Sequence, residues 1–334
     1  MKEQRKQISD EFGGPVKHEA RLKLWLPALE HLKNTLGGKY LKYFTLSGPN
    51  AYDVILWKEK GLLEYNGRGF PNVRFCGYDA SDIDEATSVL GNTVGINARF
   101  EDMILKPYDA KYQAFWDFLP CDVYNLDFCG SWFKNNEPPV SDTFQSIIEL
   151  INEHVNKEDS GEFLLLLTIR IDKNATNRKV INALKSNLKY NSRNKTFSQI
   201  IKSLVAESFD DFVNNSFRDF MLISIPKLIA YQLTKSARRW TAKLVRLDRA
   251  FYHRYNRDKG YSYYIGKFVF LIGKEESSLQ IKPAFWCPSW YPQFVNESLK
   301  LIDIMEIMRD RIPDDTEKDL EMLKNAINAM RNHV

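Results

Sequence analysis

Near the end of the first third of the chain stands the stretch Cys121-Asp122-Val123-Tyr124-Asn125-Leu126-Asp127-Phe128-Cys129-Gly130. Val123, Tyr124 and Leu126 read as a strand, with Asn125 and Asp127 two apart on it. Alternate side chains of a strand share a face, so an amide and a carboxylate point to the same side. At a strand's carboxyl end such a pair can accept hydrogen bonds from an amine, orient it, or take its departing proton. The same residues can also cap the following loop and bind backbone amides. Cys129 has no histidine near it in sequence and reads as a small buried cysteine rather than a nucleophile.

The elements that must position this pair follow from apolar spacing. Residues 17–36 have helical periodicity with Pro27 as a kink, and Gly37-Gly38 ends the element. Tyr40 to Gly48 is a β-rich run, and Ala51 to Leu63 a short helix closed by Gly61. Asn72 to Ser81 reads as a strand ending in an acid, followed by the helical run DIDEATSVLG. Thr93 to Ile104 reads as a third strand with its exit loop. The opening stretch is a fourth strand, Asp142 to Lys157 a helix, and Glu162 to Ile171 a fifth strand, apolar enough to be buried on both faces. This alternation predicts βαβ units and a mostly parallel sheet.

Ligands of such sheets bind outside the carboxyl ends of the strands. Those ends are Ser47-Gly48-Pro49-Asn50, Gly77-Tyr78-Asp79, the region of Glu101-Asp102, and Asn125-Leu126-Asp127. A glycine-bearing turn admits a ligand close to the backbone. An acid after the second strand can accept from ribose hydroxyls, or it can cap the next helix, a task open to Asp82 as well. A polar loop after the third strand can hold an adenine edge.

This series, with an antiparallel pair late in the chain, resembles the class I S-adenosylmethionine-dependent methyltransferases over roughly residues 40–172, and more loosely over 239–274. The stretch NLDFCG is similar to the fourth-strand motif of the tRNA guanine N2-dimethyltransferases and of amino-methyltransferases acting on nucleic acids. Methyltransferase-like proteins of bacterial and phage conflict systems are similar too. The resemblance implies S-adenosylmethionine as cofactor, held by Ser47 and Gly48, by Asp79 at the ribose and by Asp102 at the adenine. It places Asn125 and Asp127 against the transferred methyl and the substrate. The first loop carries one glycine followed by proline where the family has two or three, and Phe128 and Cys129 depart from the family's proline and phenylalanine. A Rossmann-like module without catalysis, binding a nucleotide, a nucleic acid or a partner protein, is the competing reading. No G-x-G-x-x-G follows the first strand, which counts against a dinucleotide oxidoreductase.

Charge supplies a second line. The whole chain carries 47 Lys and Arg against 43 Asp and Glu, but Lys173 to Lys259 carries 19 against 6. A solvated helical surface accounts for such a run; so does an anionic partner, with nucleic acid, RNA or DNA, the leading class. Arg178, Lys185, Lys189, Arg238, Arg239 and Arg254 are the candidate contacts, interleaved with Trp240, Phe251, Tyr252 and Tyr255, of which several must face a core. Five scattered histidines and four cysteines without ligand spacing predict neither a metal site nor a disulfide scaffold. No apolar run reaches the ~20 residues of a membrane span. No secretory pattern opens the chain, so the expected location is cytoplasmic.

The expected organisation is therefore α/β. A helical extension (1–39) precedes a Rossmann-like cofactor-binding core (40–172). A basic helical insertion (173–238), final antiparallel strands completing the sheet (239–295) and C-terminal helices (296–334) follow.

Overall fold

Every residue of the apolar run Phe163–Ile171 except Arg170 is buried in a strand, as a sheet strand covered on both faces requires. The structure, a computed structural model, describes residues 14–46, 48–77, 79–91, 94–128, 130, 132–133, 141–192, 209–233, 240–256, 260–276 and 305–332. Ser47, Cys129, Arg238 and Arg239 lie outside the described residues.

In chain order the described helices are α1 (Pro15–Ala20), α2 (Leu26–Thr35), α3 (Tyr52–Glu59), α4 (Ala80–Leu90), α5 (Phe100–Leu105), α6 (Gln113–Trp116), α7 (Asp142–Asn156), α8 (Arg178–Asn191), α9 (Phe209–Asn215), α10 (Phe217–Leu233) and α11 (Asp314–Asn332). The strands are β1 (Tyr43–Leu46), β2 (Val73–Gly77), β3 (Val94–Asn97), β4 (Val123–Asp127), β5 (Phe163–Ile171), β6 (Trp240–Asn256), β7 (Tyr261–Glu276) and β8 (Met305–Glu306). They form one mixed, mostly parallel sheet in the order β3-β2-β1-β4-β5-β7-β6-β8. β1 pairs in parallel with β2 on one side and β4 on the other, and β2 with β3. β6 and β7 form the expected antiparallel hairpin, with an irregularity between Leu244 and Arg246. The architecture is α/β and coarsely Rossmann-like. No helix among the described residues is long and apolar enough to cross a membrane.

Two compact units divide the chain. The first comprises Met1–Asp127, Asp159–Leu167 and Glu306–Val334. Within it α11 packs on α1, α3 and α4, burying Leu320, Leu323 and Ile327. Asp315 and Thr316 lie inside the first turn of α11. The Thr316 hydroxyl is turned to Glu19, donating to its Oε2.

Helix α1 departs from a solvated charge run. Lys17, His18 and Glu19 are all buried, as is Arg21 directly after the helix. His18 is fully buried, its Nε2 donating to Asp319 Oδ2 at 2.9 Å. Burial holds the His18 imidazole below its ordinary value of 6.5, outweighing the opposing Asp319 hydrogen bond. The neutral ring therefore contributes stability in full above about pH 6.5, and that contribution is lost as pH falls below it, because the unfolded chain takes the proton first. His18→Gln is expected to flatten this acid limb when the melting temperature is followed from pH 7.5 to 5. Parallel curves for the variant and the wild type would exclude it.

The second unit comprises Phe128–Glu158 and Thr168–Met305. Ser141 caps α7, its Oγ accepting from the Phe144 amide at 3.2 Å. A Cβ on Gly266 would stand 2.7 Å from Ile171 Cδ1, so a larger residue there requires the Ile171 side chain to shift. Helix α10 contains Pro226, whose ring nitrogen cannot donate to the carbonyl of Leu222. Arg249 of β6, buried, donates from Nη1 to that oxygen at 3.2 Å. Arg249→Leu is expected to cost about 1–3 kcal/mol, the penalty of an orphaned buried carbonyl. In a Pro226→Ala background, where a backbone N–H returns, the cost should shrink; urea midpoints of the four proteins measure the coupling.

Candidate functional site

β1 lies between β2 and β4, so the first unit's sheet has its topological switch point between β1 and β4, where ligands of open α/β sheets bind. Thr45 of β1 is in register with Asn125 of β4. Tyr43 and Thr45, two apart on β1, share a face, and the carboxylate of Asp53, in the first turn of α3, meets it. Asp53 Oδ2 accepts from Tyr43 OH at 2.9 Å, Thr45 Oγ1 at 2.9 Å and Asn125 Nδ2 at 2.8 Å. Trp57 Nε1 donates to Tyr43 OH at 3.1 Å. Burial, reinforced by the Asp53 charge, pushes the Tyr43 phenol well above its ordinary range, so it stays a donor.

This network sets the orientation of Asn125. Its amide nitrogen must face the Asp53 carboxylate, because the reverse orientation would bring oxygen against oxygen. The side-chain Oδ1 then points elsewhere, is buried, and has no hydrogen-bond partner among the described residues. An orphaned buried acceptor costs about 1–3 kcal/mol, which a donor brought by a ligand would recover.

Asn125 lines a pocket of about 330 Å³ of empty space, partly open to solvent. Leu46, Gly48, Asn50 and Ala51 contribute the β1 exit, Tyr52 and Asp53 the start of α3, and Asp127 the end of β4. Ala51 sits at φ 45° and ψ 38°, a left-handed conformation that costs a non-glycine residue ~1 kcal/mol. Its amide closes the turn by donating to Gly48 O at 3.0 Å. The β1 loop thus makes a tight turn with a single glycine, taking at Ala51 the conformation a second glycine would adopt more readily.

The remaining wall comes from the N-terminal segment. Between α1 and α2 the chain makes a π turn over Arg21–Trp25, with the Leu26 amide donating to Arg21 O. The kink expected at Pro27 takes this form, and π turns recur at functional sites. Arg21 and Trp25 of this turn both line the pocket. Lys17 Nζ donates to Asp127 Oδ2 at 3.1 Å, both side chains about nine-tenths buried. Asp127 therefore enters the site as an ion-paired carboxylate.

Gly48, Asn125 and Asp127 are brought together, while Asp79 and Asp102 do not line the pocket. Asp79 is exposed and caps α4: its Oδ1 accepts from the Ser81 amide at 2.9 Å and the Ser81 hydroxyl at 2.7 Å. Asp82 lies inside the first turn, so the capping task falls to Asp79. Asp102 corrects an expectation. β3 ends at Asn97, and Glu101 and Asp102 belong to helix α5, not to an exit loop. Phe100, Met103 and Ile104 at helical spacing bury one face there, leaving Asp102 half-buried. A hydrogen bond from Lys106, at 2.7 Å, holds its carboxyl below the usual range.

In the second unit Arg178, Lys185 and Lys189 fall within about 40° of one another around α8, at 100° per residue. They form one basic stripe beside the buried Val180, Ile181, Leu184 and Leu188. Arg254 is half-buried on β6.

The model of the PP_RS20740-like family matches residues 13–260, a span that includes every residue lining the pocket. The chain belongs to the PP_RS20740-like family. No curated protein and no solved structure matches it significantly. For this PP_RS20740-like chain, the site includes residues that strand-end reasoning passed over. Lys17 and Arg21 were hidden because a run such as Lys17-His18-Glu19-Ala20-Arg21 reads as a solvated face. Asp53 did leave a signal: it is the one acid among the apolar Val54, Ile55, Leu56 and Trp57. The architecture is compatible with a nucleotide-derived cofactor.

Proposed function

We propose that the chain is an S-adenosylmethionine-dependent methyltransferase acting on an exocyclic amino group of RNA or DNA. The observation that carries this reading is the buried Oδ1 of Asn125, without a hydrogen-bond partner among the described residues, on a residue that lines a pocket at the sheet's switch point. An amine N–H is the donor such an acceptor suits. The residues fit the cofactor in kind: Gly48, Asn50 and Ala51 of a tight turn line the pocket, and Asp79 stands at the end of the neighbouring strand. Bound there, S-adenosylmethionine supplies a methyl group made electrophilic by its sulfonium. Asp102, on a helix and paired with Lys106, is not included in the proposed set.

The chain's own residues do the positioning. Asn125 Oδ1 accepts from the amine and aims the nitrogen lone pair. Its orientation is held by Asp53, which is in turn held by Tyr43 and Thr45. Asp127, with Lys17 on its Oδ2, orients the amine rather than acting as an isolated base. Arg21 and Trp25 wall the pocket, and desolvation strengthens each of these hydrogen bonds.

Asp79 separates the two roles open to it. Asp79→Ser keeps a good N-cap, so stability should change by no more than about 0.5 kcal/mol, yet the carboxylate is gone. Under the proposed function its affinity for S-adenosylmethionine falls at least tenfold in calorimetric titration. Unchanged affinity would reduce Asp79 to a cap and count against the reading.

A further inference from the structure

The β6–β7 hairpin carries rings where a sheet end facing water needs none. Over its buried part, Ile265 to Ile272, the strand β7 is closed to solvent. Toward the free end, His253 and Tyr255 are exposed, Tyr255 to 61%. Across the register His253 meets Tyr264, the two rings 5.0 Å apart at 60°. Alternation puts Phe251, His253, Tyr255 and Tyr264 on one face. Arg218, at the start of α10, lies over this face, its guanidinium 4.2 Å from the Phe251 ring and 5.4 Å from Tyr264. The opposite face has Arg254 and Tyr263, with Arg170 stacked 4.1 Å from the Tyr263 ring.

Arginines stacked on the inner rings leave the outer ones, Tyr255 above all, open to a planar partner. An exposed tyrosine at a strand end is unremarkable alone. A graded series of rings on one face, running from buried Phe251 to exposed Tyr255 within a segment of 19 basic and 6 acidic residues, has more specific consequences. Stacking rings with surrounding positive charge suit a partner that is both aromatic and anionic, and unpaired nucleobases on a phosphate backbone are both. A duplex offers phosphates but keeps its base faces stacked internally.

We infer that the exposed ring face around His253 and Tyr255 of β6 is a stacking platform for single-stranded nucleic acid, with Tyr255 as its more exposed ring. The inference rests on the nucleic-acid part of the proposed function and adds that the partner is unpaired where it meets the protein. It is independent of the pocket in the first unit.

The test is fluorescence anisotropy of the full chain with a labelled 12-nucleotide single strand, as RNA and as DNA, and with the duplex of the same sequence. Wild-type protein is expected to bind at least one of the single strands at least tenfold more tightly than the duplex. Tyr255→Ala should lose about tenfold on that strand, the size of one base–aromatic stack, with duplex binding unchanged. Tyr255→Trp should retain wild-type affinity. Equal losses on single strand and duplex would overturn the proposal, as would no loss, or no oligonucleotide binding at 50 mM salt, which would turn attention to a protein partner for this face. Titration of the same variants with S-adenosylmethionine keeps the outcomes apart. Tyr255→Ala should leave that affinity intact, so failure of the platform and failure of the methyltransferase reading give different results.

Discussion

Asp53→Ala is expected to destabilise the protein by about 3 kcal/mol or more, the largest effect of any single substitution at the site. One carboxylate oxygen accepts from Tyr43 OH, Thr45 Oγ1 and Asn125 Nδ2. Its removal leaves three buried donors without that acceptor. Asp53→Asn should fall between, because an amide keeps one accepting oxygen but turns a donor toward other donors. Urea unfolding measures both, and an unchanged slope with a lower midpoint identifies a loss of stability rather than a change in the unfolded state. A loss under 1 kcal/mol for Asp53→Ala would mean that the three donors find other partners and that the network does not hold Asn125.

Asn125→Ala is the second large effect, and it is expressed in turnover. The substitution leaves Asp53 with two of its three donors, so folding should survive with a loss of about 1 kcal/mol. The buried acceptor Oδ1 is gone. If Asn125 Oδ1 positions the amine, kcat should fall by about 10²–10³, the range for deleting one oriented hydrogen-bonding group. Cofactor affinity should stay within a few-fold of wild type. Asn125→Asp tests orientation separately: it keeps an oxygen in the pocket but sets a second carboxyl against Asp53, 2.8 Å from the present amide nitrogen. Folding of Asn125→Asp should therefore weaken as pH rises through the carboxylate range, when both groups ionise.

Much of the fold was legible because it rests on local periodicity. Strands β1, β2, β4 and β5 and helices α3, α4, α7 and α8 follow from apolar spacing, and the hairpin from two β-rich runs around a short polar connector. Legibility failed where burial reversed the usual meaning of charge. Lys17 and Arg21 sit on a helix that sequence reads as solvated. They are buried because α11, nearly three hundred residues later, packs on it and because Asp127 supplies Lys17 with a counter-charge. Such long-range pairing leaves no trace in spacing. Asp102 was misplaced for a different reason: a short helix follows β3 directly, and Phe100, Met103 and Ile104 are too few to announce it.

Of the site itself, Gly48, Asn125 and Asp127 could be found from strand ends alone. The acceptor's direction could not, since it depends on Asp53 reaching across from α3. The left-handed turn at Ala51 was also invisible, because alanine gives no hint of positive φ.

The central claim is that the pocket between the ends of β1 and β4 takes S-adenosylmethionine. Calorimetric titration of the full chain with S-adenosylmethionine tests it most directly. The account predicts saturable binding with one site per chain, a matching rise in melting temperature, and loss of at least tenfold in affinity for Asp79→Ser. No heat of binding together with no thermal shift would contradict it.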